Sequence, residues 1–390
     1  MKISLQIKRK ILLLSILVFS FTTAFSQFDD LKFGTDSTLD VVTWNIEHFP
    51  KNGETTINFV AELMIAIDAD VFAIQEVVAE QDLQQLVELM PDWDYAYAYN
   101  QYAALSFVYN TDSISDVDFF EIYTNKSREF PRSPFVMEFT FRAQQFMVIN
   151  NHLKCCGDQE LDMNDDWDEE KRRFDACVLL DSYIESNYPD SKVIITGDLN
   201  DVLSDDFDDN VFEIFIANDN DYLATDLDIA YGDESDWSYP SWPSHLDHLI
   251  ISNELIDEYM SPGSITQTIK PDEYFEGGFS EYDNNVTDHR PVGIRIKTEN
   301  HVGVPETVTE QKINIYPNPV ENKTTIWFYG ALVFSKLEIF DAHGKIKLQQ
   351  FVGKNTDKID LNLGDFDGGV YFVKLTSDEG NIVVSKIIVK

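Results

Sequence analysis

The chain has 390 residues, 69 of them acidic and 29 basic, for a formal charge of −40. Such a surface should repel nucleic acid and anionic membranes wherever no local cation intervenes, and it also keeps an exported chain soluble. The length allows two domains and a large buried core.

Lys2, Lys8, Arg9 and Lys10 precede the apolar run Ile11–Phe19, and Ala24-Phe25-Ser26 stands before Gln27. This is the form of a cleavable secretory signal over residues 1–26, with an apolar part too short for a comfortable membrane span. No cysteine follows the expected cut, so no lipid anchor is expected; the mature chain keeps 25 basic residues against 69 acidic, a formal charge of −44.

Residues 27–38 read as a polar lead-in. Val41–Trp44 is an apolar strand, after which Ile57, Val60, Met64 and Ile67 fall at helical spacing. Asp68-Ala69-Asp70 then turns the chain into a second strand, Val71–Ile74. Leu83, Leu86, Leu89 and Met90 predict another helix, stopped at Pro91. From Ala103 to Leu153 the pattern is mostly strand, with alternation at Leu105-Phe107-Tyr109 and Phe135-Met137-Phe139-Phe141. Arg132, at the mouth of the latter strand, either contacts phosphate or faces solvent. Strand alternating with helix implies an α/β layer arrangement.

Asp162–Asp168 has alternating oxygen ligands like a calcium loop, but Trp167 stands where an EF-hand needs glycine and Arg173 where it needs glutamate. The loop instead opens a helix with Phe174, Cys177, Leu180 and Ile184 on its apolar face, and the early acids suit a helix N-terminus. The cysteines are three, Cys155, Cys156 and Cys177, and export permits disulfides, so a bridge from Cys155 or Cys156 to Cys177 is expected. Residues 201–240 are acidic and irregular. Trp237, Tyr239 and Trp242 then lie just ahead of Asp247, where they wall a cleft or pack a loop.

Apolar runs repeatedly meet polar cargo. Val41–Trp44 runs into Asn45-Ile46-Glu47-His48, Val71–Ile74 into Gln75-Glu76, Phe146–Ile149 into Asn150-Asn151-His152, and Val193–Thr196 into Gly197-Asp198-Leu199-Asn200. Asp288-His289 lies just before Val292-Gly293-Ile294, while Asp247 starts rather than ends its run, Leu249–Ile251. Hard carboxylate and amide oxygens accompanied by histidines suit Mg²⁺ or Mn²⁺ and phosphate better than zinc or copper.

In this order, Trp44-Asn45-Ile46-Glu47, Ile74-Gln75-Glu76, Asn151-His152, Gly197-Asp198-Leu199-Asn200, His245-Leu246-Asp247-His248 and Asp288-His289 resemble the endonuclease/exonuclease/phosphatase family over residues 38–298. That family includes secreted DNases, abasic-site endonucleases, neutral sphingomyelinases and inositol polyphosphate phosphatases. The resemblance implies a four-layer α/β/β/α sandwich and a phosphoester hydrolase dependent on Mg²⁺, Mn²⁺ or Ca²⁺, with DNA or RNA among the substrates. It implies Asn45 and Glu76 as metal ligands, with Asp288 supporting that ion or a second. Asp198 would orient or deprotonate the attacking water and Asn200 would hold it. His289, paired with Asp247, would contact a phosphate oxygen, and His152 would stabilise phosphate from the other side. Whether Asp198 or the His289–Asp247 pair is the base stays open. His245 departs from the arginine or lysine common in relatives, and His248 from an aromatic; both could tune substrate contact, with a packed role the safer reading for His248.

Residues 299–311 read as a polar linker. From residue 312 to 390, short alternating strands divided by Gly and Asp turns, including Ile313–Pro319, Leu337–Lys345 and Gly368–Leu375, predict a small β-sandwich. This stretch resembles the C-terminal sorting domain of type IX secretion substrates in Bacteroidetes. The resemblance implies export by the signal peptide and then the type IX machinery, with the final domain usually cleaved.

Overall fold

The computed structural model describes residues 27–298 except 102 and 219, and residues 313–390 except 321, 329–333, 342–344, 354–357, 365 and 378–381. The expected signal peptide and linker lie outside the described residues. The chain divides into two compact units, Met1–His301 and Val302–Lys390.

Among the described residues, the larger unit has twelve strands: β1 (Leu39–Phe49), β2 (Val71–Val77), β3 (Trp93–Ala98), β4 (Ala104–Asn110), β5 (Ile114–Glu121), β6 (Phe135–Phe141), β7 (Gln144–His152), β8 (Val193–Asp198), β9 (Tyr222–Ala224), β10 (Asp247–Ser252), β11 (Ile265–Thr268) and β12 (Val292–Ile296). They form two six-stranded sheets, ordered β11-β12-β1-β2-β4-β3 and β5-β6-β7-β8-β10-β9. The central pairs β1–β2 and β7–β8 are parallel. Three long helices, α1 (Glu54–Ile67), α2 (Glu80–Glu88) and α3 (Glu169–Asn187), complete the layers.

Strand alternation sorts the core. Leu39, Val41, Val71, Ala73, Leu105 and Phe107 of the first sheet meet Phe135, Met137, Val148, Ile194, Leu249 and Ile251 of the second. On the outer face of the first sheet, Val42, Trp44, Phe72 and Ile74 pack against Ile57, Val60, Met64 and Ile67 of α1 and Leu83 and Leu86 of α2. The second sheet turns Met147, Ile149, Val193 and Ile195 toward Cys177, Leu180 and Ile184 of α3. Because both sheet faces are buried, the central strands read as continuous apolar runs, and the result is an α/β/β/α sandwich.

The helix ends obey local chemistry. Asp68 takes a left-handed conformation (φ 58°) as its N–H closes on the Met64 carbonyl. Asp168 caps α3 by accepting from the Lys171 N–H at 2.8 Å. Two expectations need correcting. Leu89 lies past α2 and is exposed, while Met90 is buried in its place. The lead-in is anchored as well as polar, with Phe28, Leu31 and Phe33 buried against the α1 layer.

The cysteine expectation fails outright: all three thiols are free. Cys177 is buried in the α3 core, where desolvation pushes its thiol pKa far up, whereas Cys155 and Cys156 are exposed after β7. A bridge would have to draw Cys177 out of a close-packed layer.

In the smaller unit, β13 (Ile313–Tyr316), β14 (Lys323–Phe328) and β17 (Lys358–Asn362) form one antiparallel sheet. β16 (Ile346–Phe351), β15 (Phe334–Asp341), β18 (Gly369–Ser377) and β19 (Ile382–Val389) form another. Ile326, Leu361, Leu337, Ile339, Val373, Leu375 and Ile387 are buried together. Among the described residues, no helix is long and apolar enough to cross a membrane.

Candidate active site

The polar strand ends converge. Along the face between the sheets, the apolar positions of β1, β2, β7 and β8 give way in the same two-residue register to Thr43 and Asn45, Gln75, Asn150 and His152, and Thr196 and Asp198. The deeper layer is a satisfied amide network. Gln75 Nε2 donates to Thr43 Oγ1 at 3.1 Å and to Asn150 Oδ1 at 2.8 Å, while Asn150 Nδ2 donates to the carbonyls of Ile74 and Ser106, each at 3.0 Å. Buried polar groups with partners give the layer above a fixed floor.

On that floor Asn45 Nδ2 donates to Asp198 Oδ2 at 2.9 Å and approaches Glu76 Oε1 at 3.4 Å. Asn45 Oδ1 accepts from the Glu47 N–H at 3.1 Å and keeps a second lone pair. His152 Nε2 lies 3.5 Å from Asp198 Oδ2 and 3.9 Å from Glu76 Oε1. Glu76 would point to the helix side by strand parity, but its φ of 67° and a register break between Ile74 and Val77 redirect it. Asn200 also has positive φ, 58°; its N–H donates to Asp198 Oδ1 at 3.1 Å and its Nδ2 to the Leu153 carbonyl at 3.3 Å.

Gly197 sits inside β8 rather than at a turn. A Cβ there would meet the Asn151 carbonyl oxygen at 1.9 Å, and its φ is 138°, so glycine is needed for the close approach of β7.

Asp247 starts its run because β10 is antiparallel to β8, with Asp247 opposite Asp198. Its Oδ2 accepts from His289 Nδ1 at 2.8 Å, and His289 Nε2 points back to within 3.9 Å of Asp198 Oδ2. Trp44 Nε1 and Tyr282 Oη both donate to the His289 carbonyl, at 3.3 and 2.7 Å. Arg290, bidentate on Asp272, fixes the next residue. Asp288 receives less support: its N–H donates to Glu47 Oε2 at 3.2 Å, and its Oδ1 lies 4.0 Å from His289 Nε2.

These contacts set the charges. Burial opposes ionisation of His289, but Asp247, then Asp198 and Asp288, more than offset it and raise its pKa to about 10. His152 is held neutral, first by burial and then by the charges of Arg132, His289 and His48. Burial raises Asp198 to about 7 against the pull of His289, and Asp247 and Glu76 add repulsion. Asp288 rises to about 6 for similar reasons, with Glu47 the repelling neighbour. Carboxylates crowded this far from their ordinary range are hard donors whose charge a divalent cation would compensate, so the donor set fits Mg²⁺, Mn²⁺ or Ca²⁺.

A cleft of about 750 Å³ opens over these groups. Trp237, Tyr239 and Trp242 line it, and Tyr239 lies against the His289 ring with centroids 4.8 Å apart. Arg132, half-buried, also lines the cleft, and its buried Nε has no hydrogen-bond partner.

His245 and His248 do not offer themselves to substrate. Both are buried on Asp226 Oδ2, at 3.0 and 2.6 Å, and His248 Nε2 donates to the Asp201 carbonyl at 2.8 Å. With the Asp226 carboxylate and the Asp201 carbonyl each accepting an N–H hydrogen bond, His248 is an imidazolium with no lone pair for a metal. Ser238 Oγ accepts from the N–H groups of Leu246 and Asp247, so this cluster and Ser238 together hold the start of β10. Asp226, Ser238, Tyr282 and Arg290 escape sequence reasoning; only the histidines flanking Leu246-Asp247 hinted at a buried acceptor.

A four-layer sandwich whose two sheets bring carboxylates, amides and an imidazolium to one shared edge defines a class of phosphoester hydrolases. The chain belongs to the Endonuclease/Exonuclease/phosphatase family, whose model matches residues 42–289, and residues 314–390 match the secretion system C-terminal sorting domain. No relative is found among the curated proteins. Among solved structures, TDP2 from D. rerio complexed with single strand DNA product is similar at 14% identity and a TM-score of 0.50, over 67% of this chain and 100% of that one. A mannosyl-6-phosphatase from Bacteroides thetaiotaomicron is similar at 15% identity and 0.46, over 66% and 98%. An endonuclease/exonuclease/phosphatase from Bacteroides vulgatus is similar at 13% and 0.46, over 67% and 99%. The likeness to the D. rerio protein is one of fold.

Proposed function

We propose that the chain is an exported, divalent-metal-dependent phosphodiesterase acting on extracellular nucleic acid. The observation that carries this reading is the convergence of Glu76, Asn45, Asp198 and His152 with the His289–Asp247 pair at one sheet edge. Glu76, Asn45 through its free lone pair, and Asp288 would hold the cation, which when bound neutralises phosphate charge and polarises the phosphorus–oxygen bonds. Asp198, with Asn200 beside it, orients the attacking water and takes its proton. Asp247 fixes the His289 ring so that Nε2–H donates to a phosphate oxygen as charge develops. His152, neutral and aimed at the same place, donates from the opposite side.

In the full chain we assign residues 1–26 to a signal peptide, 38–298 to catalysis, 299–311 to a linker and 312–390 to sorting by the type IX machinery. A second reading, a small phosphoester as substrate, is favoured by the formal charge of −40, which leaves phosphates beyond the metal few cations to meet. A panel of DNA, RNA, bis-p-nitrophenyl phosphate, sphingomyelin and phosphomonoesters, with Mg²⁺, Mn²⁺ or Ca²⁺ and with chelator, separates the readings. Chelator-sensitive cleavage of nucleic acid is expected. Glu76→Gln should reduce it by ~100-fold with the fold intact; near-normal turnover of that variant at saturating Mg²⁺ would sink the assignment.

A further inference from the structure

Three and four residues past His152 stand Cys155 and Cys156, both exposed, with Sγ atoms 2.9 Å apart. That is within ~1 Å of a formed S–S bond. The backbone beneath them is tied down. Arg173, 2% exposed, donates Nη1 to the carbonyls of both Lys154 and Cys156 at 2.7 Å, its Nε to Asp201 at 2.7 Å and its Nη2 to Glu170 at 3.0 Å. Lys154 Nζ donates to the Cys155 carbonyl between them, at 2.7 Å. Cys156 (φ 70°) and Gly157 (φ 121°) are both in positive φ, and a Cβ at Gly157 would strike Glu170 Oε1 at 2.1 Å. Three successive carbonyls held by side chains and two consecutive positive-φ residues set both thiols on one side of the loop, at the rim of the catalytic cleft.

We propose that Cys155 and Cys156 are a built site for a disulfide between adjacent residues, closed by exchange with a small-molecule or protein disulfide. One thiolate attacks the accepting R–S–S–R and expels the first RS⁻. The second thiolate then attacks the mixed disulfide at the protein sulfur and expels the other, so two protein thiols are oxidised and R–S–S–R is reduced to two RSH. Adjacent Cα atoms sit ~3.8 Å apart, closer than the ~4.4–6.8 Å usual for disulfides, so the ring is strained and opens under mild thiol. Cys177, buried behind Ala176, Leu180 and Val193, stays outside the exchange.

The test needs no substrate. Full-length protein is reduced, freed of reductant, exposed to glutathione disulfide and digested with trypsin. Cleavage after Lys154 and Lys171 places both cysteines in one peptide, residues 155–171, apart from Cys177. That peptide is expected to lose two hydrogens in mass and to resist alkylation until mild reduction, with one thiol per chain titratable in denaturant before reduction and three after. In Cys156→Ser the mass loss disappears and Cys155 emerges as a glutathione adduct. An open dithiol, stable glutathione adducts on the native pair, or a link from 155–171 to the Cys177 peptide would each overturn the proposal.

Discussion

Replacing Asp226 with asparagine tests whether the buried cluster beside the site is held by charge. Asp226 is wholly buried and accepts from His245 Nε2 at 3.0 Å, His248 Nδ1 at 2.6 Å and the Leu249 N–H at 3.2 Å. Burial disfavours its charge, but His248 above all, with His245, holds the carboxyl well below the carboxylate range. Burial likewise opposes the charge on His248, and Asp226 overcomes it, raising that ring above its ordinary value; His245, for which burial wins, is lowered. The depressed Asp226 stabilises the fold above ~4, and that contribution fades as pH falls. The raised His248 stabilises it below ~6.5, and that contribution fades as pH climbs through its folded pKa; His245, lowered, works the opposite way. Without the carboxylate, His248 loses what kept it charged, so the variant must bury an unpaired imidazolium or give up the proton, a penalty that grows toward acid. At pH 5 the loss should reach ~3–5 kcal/mol, as for other broken buried pairs. Toward alkaline pH, as the charged pair weakens in the parent as well, it should shrink toward the ~1–2 kcal/mol of altered neutral hydrogen bonds. At ~2–4 °C per kcal/mol, the melting temperature should drop by ~6–20 °C at pH 5 and by ~2–8 °C at pH 9. Calorimetry of both proteins at the two pH values reads the difference directly, and a cycle with His248→Asn isolates the coupling. Equal drops at both pH values, or additive effects in the cycle, would refute a charge-held cluster.

Gly197→Ala should cost more than ~2 kcal/mol or abolish soluble expression, because the new Cβ meets backbone rather than a yielding side chain; a melting temperature within 2 °C of the parent, on the order of 1 kcal/mol or less, would contradict this. Ending the chain after Lys297 should leave hydrolysis in vitro unchanged and stop appearance outside the native cell, read by activity in the medium; normal export of that truncation would remove the sorting role. Binding of DNA, measured across salt concentrations, should show a shallow slope of log K, far from the ~−0.9 per phosphate multiplied over six contacts that a basic track produces.

The α/β layering was legible because strands buried on both faces read as apolar runs that end in polar residues, so runs meeting Asn45, Gln75, His152 and Asp198 betrayed both strand and edge, while the four-layer sandwich came from the family resemblance those strand ends carry. Asp247 looked anomalous only while strand direction was unknown; reversing β10 brings its first residue level with the last of β8. Glu76 reaches the cleft by a positive-φ break that no side-chain pattern announces. Asp226 was one acid among many in an irregular stretch, and its meaning depends on two histidines about twenty residues away. The cysteine expectation weighed sequence separation and compartment although Cys177 already read as part of a helix's apolar face; what it missed is that its supposed partners are exposed and already touch each other.

The amide floor under the cleft has a consequence for how this architecture ages. Gln75, Asn150 and Thr43 satisfy one another across the two sheets, beneath the layer that a substrate would reach. A one-residue slip of either sheet would send Gln75 or Asn150 into an apolar layer without partners, so this trio specifies the alignment of the sheets. A descendant that loses its chemistry is therefore free to discard Glu76 and Asp198 while selection for folding alone still retains the trio. Across distant copies of this architecture, persistence of the floor would mark ancestry, and persistence of the carboxylates above it would mark a working enzyme.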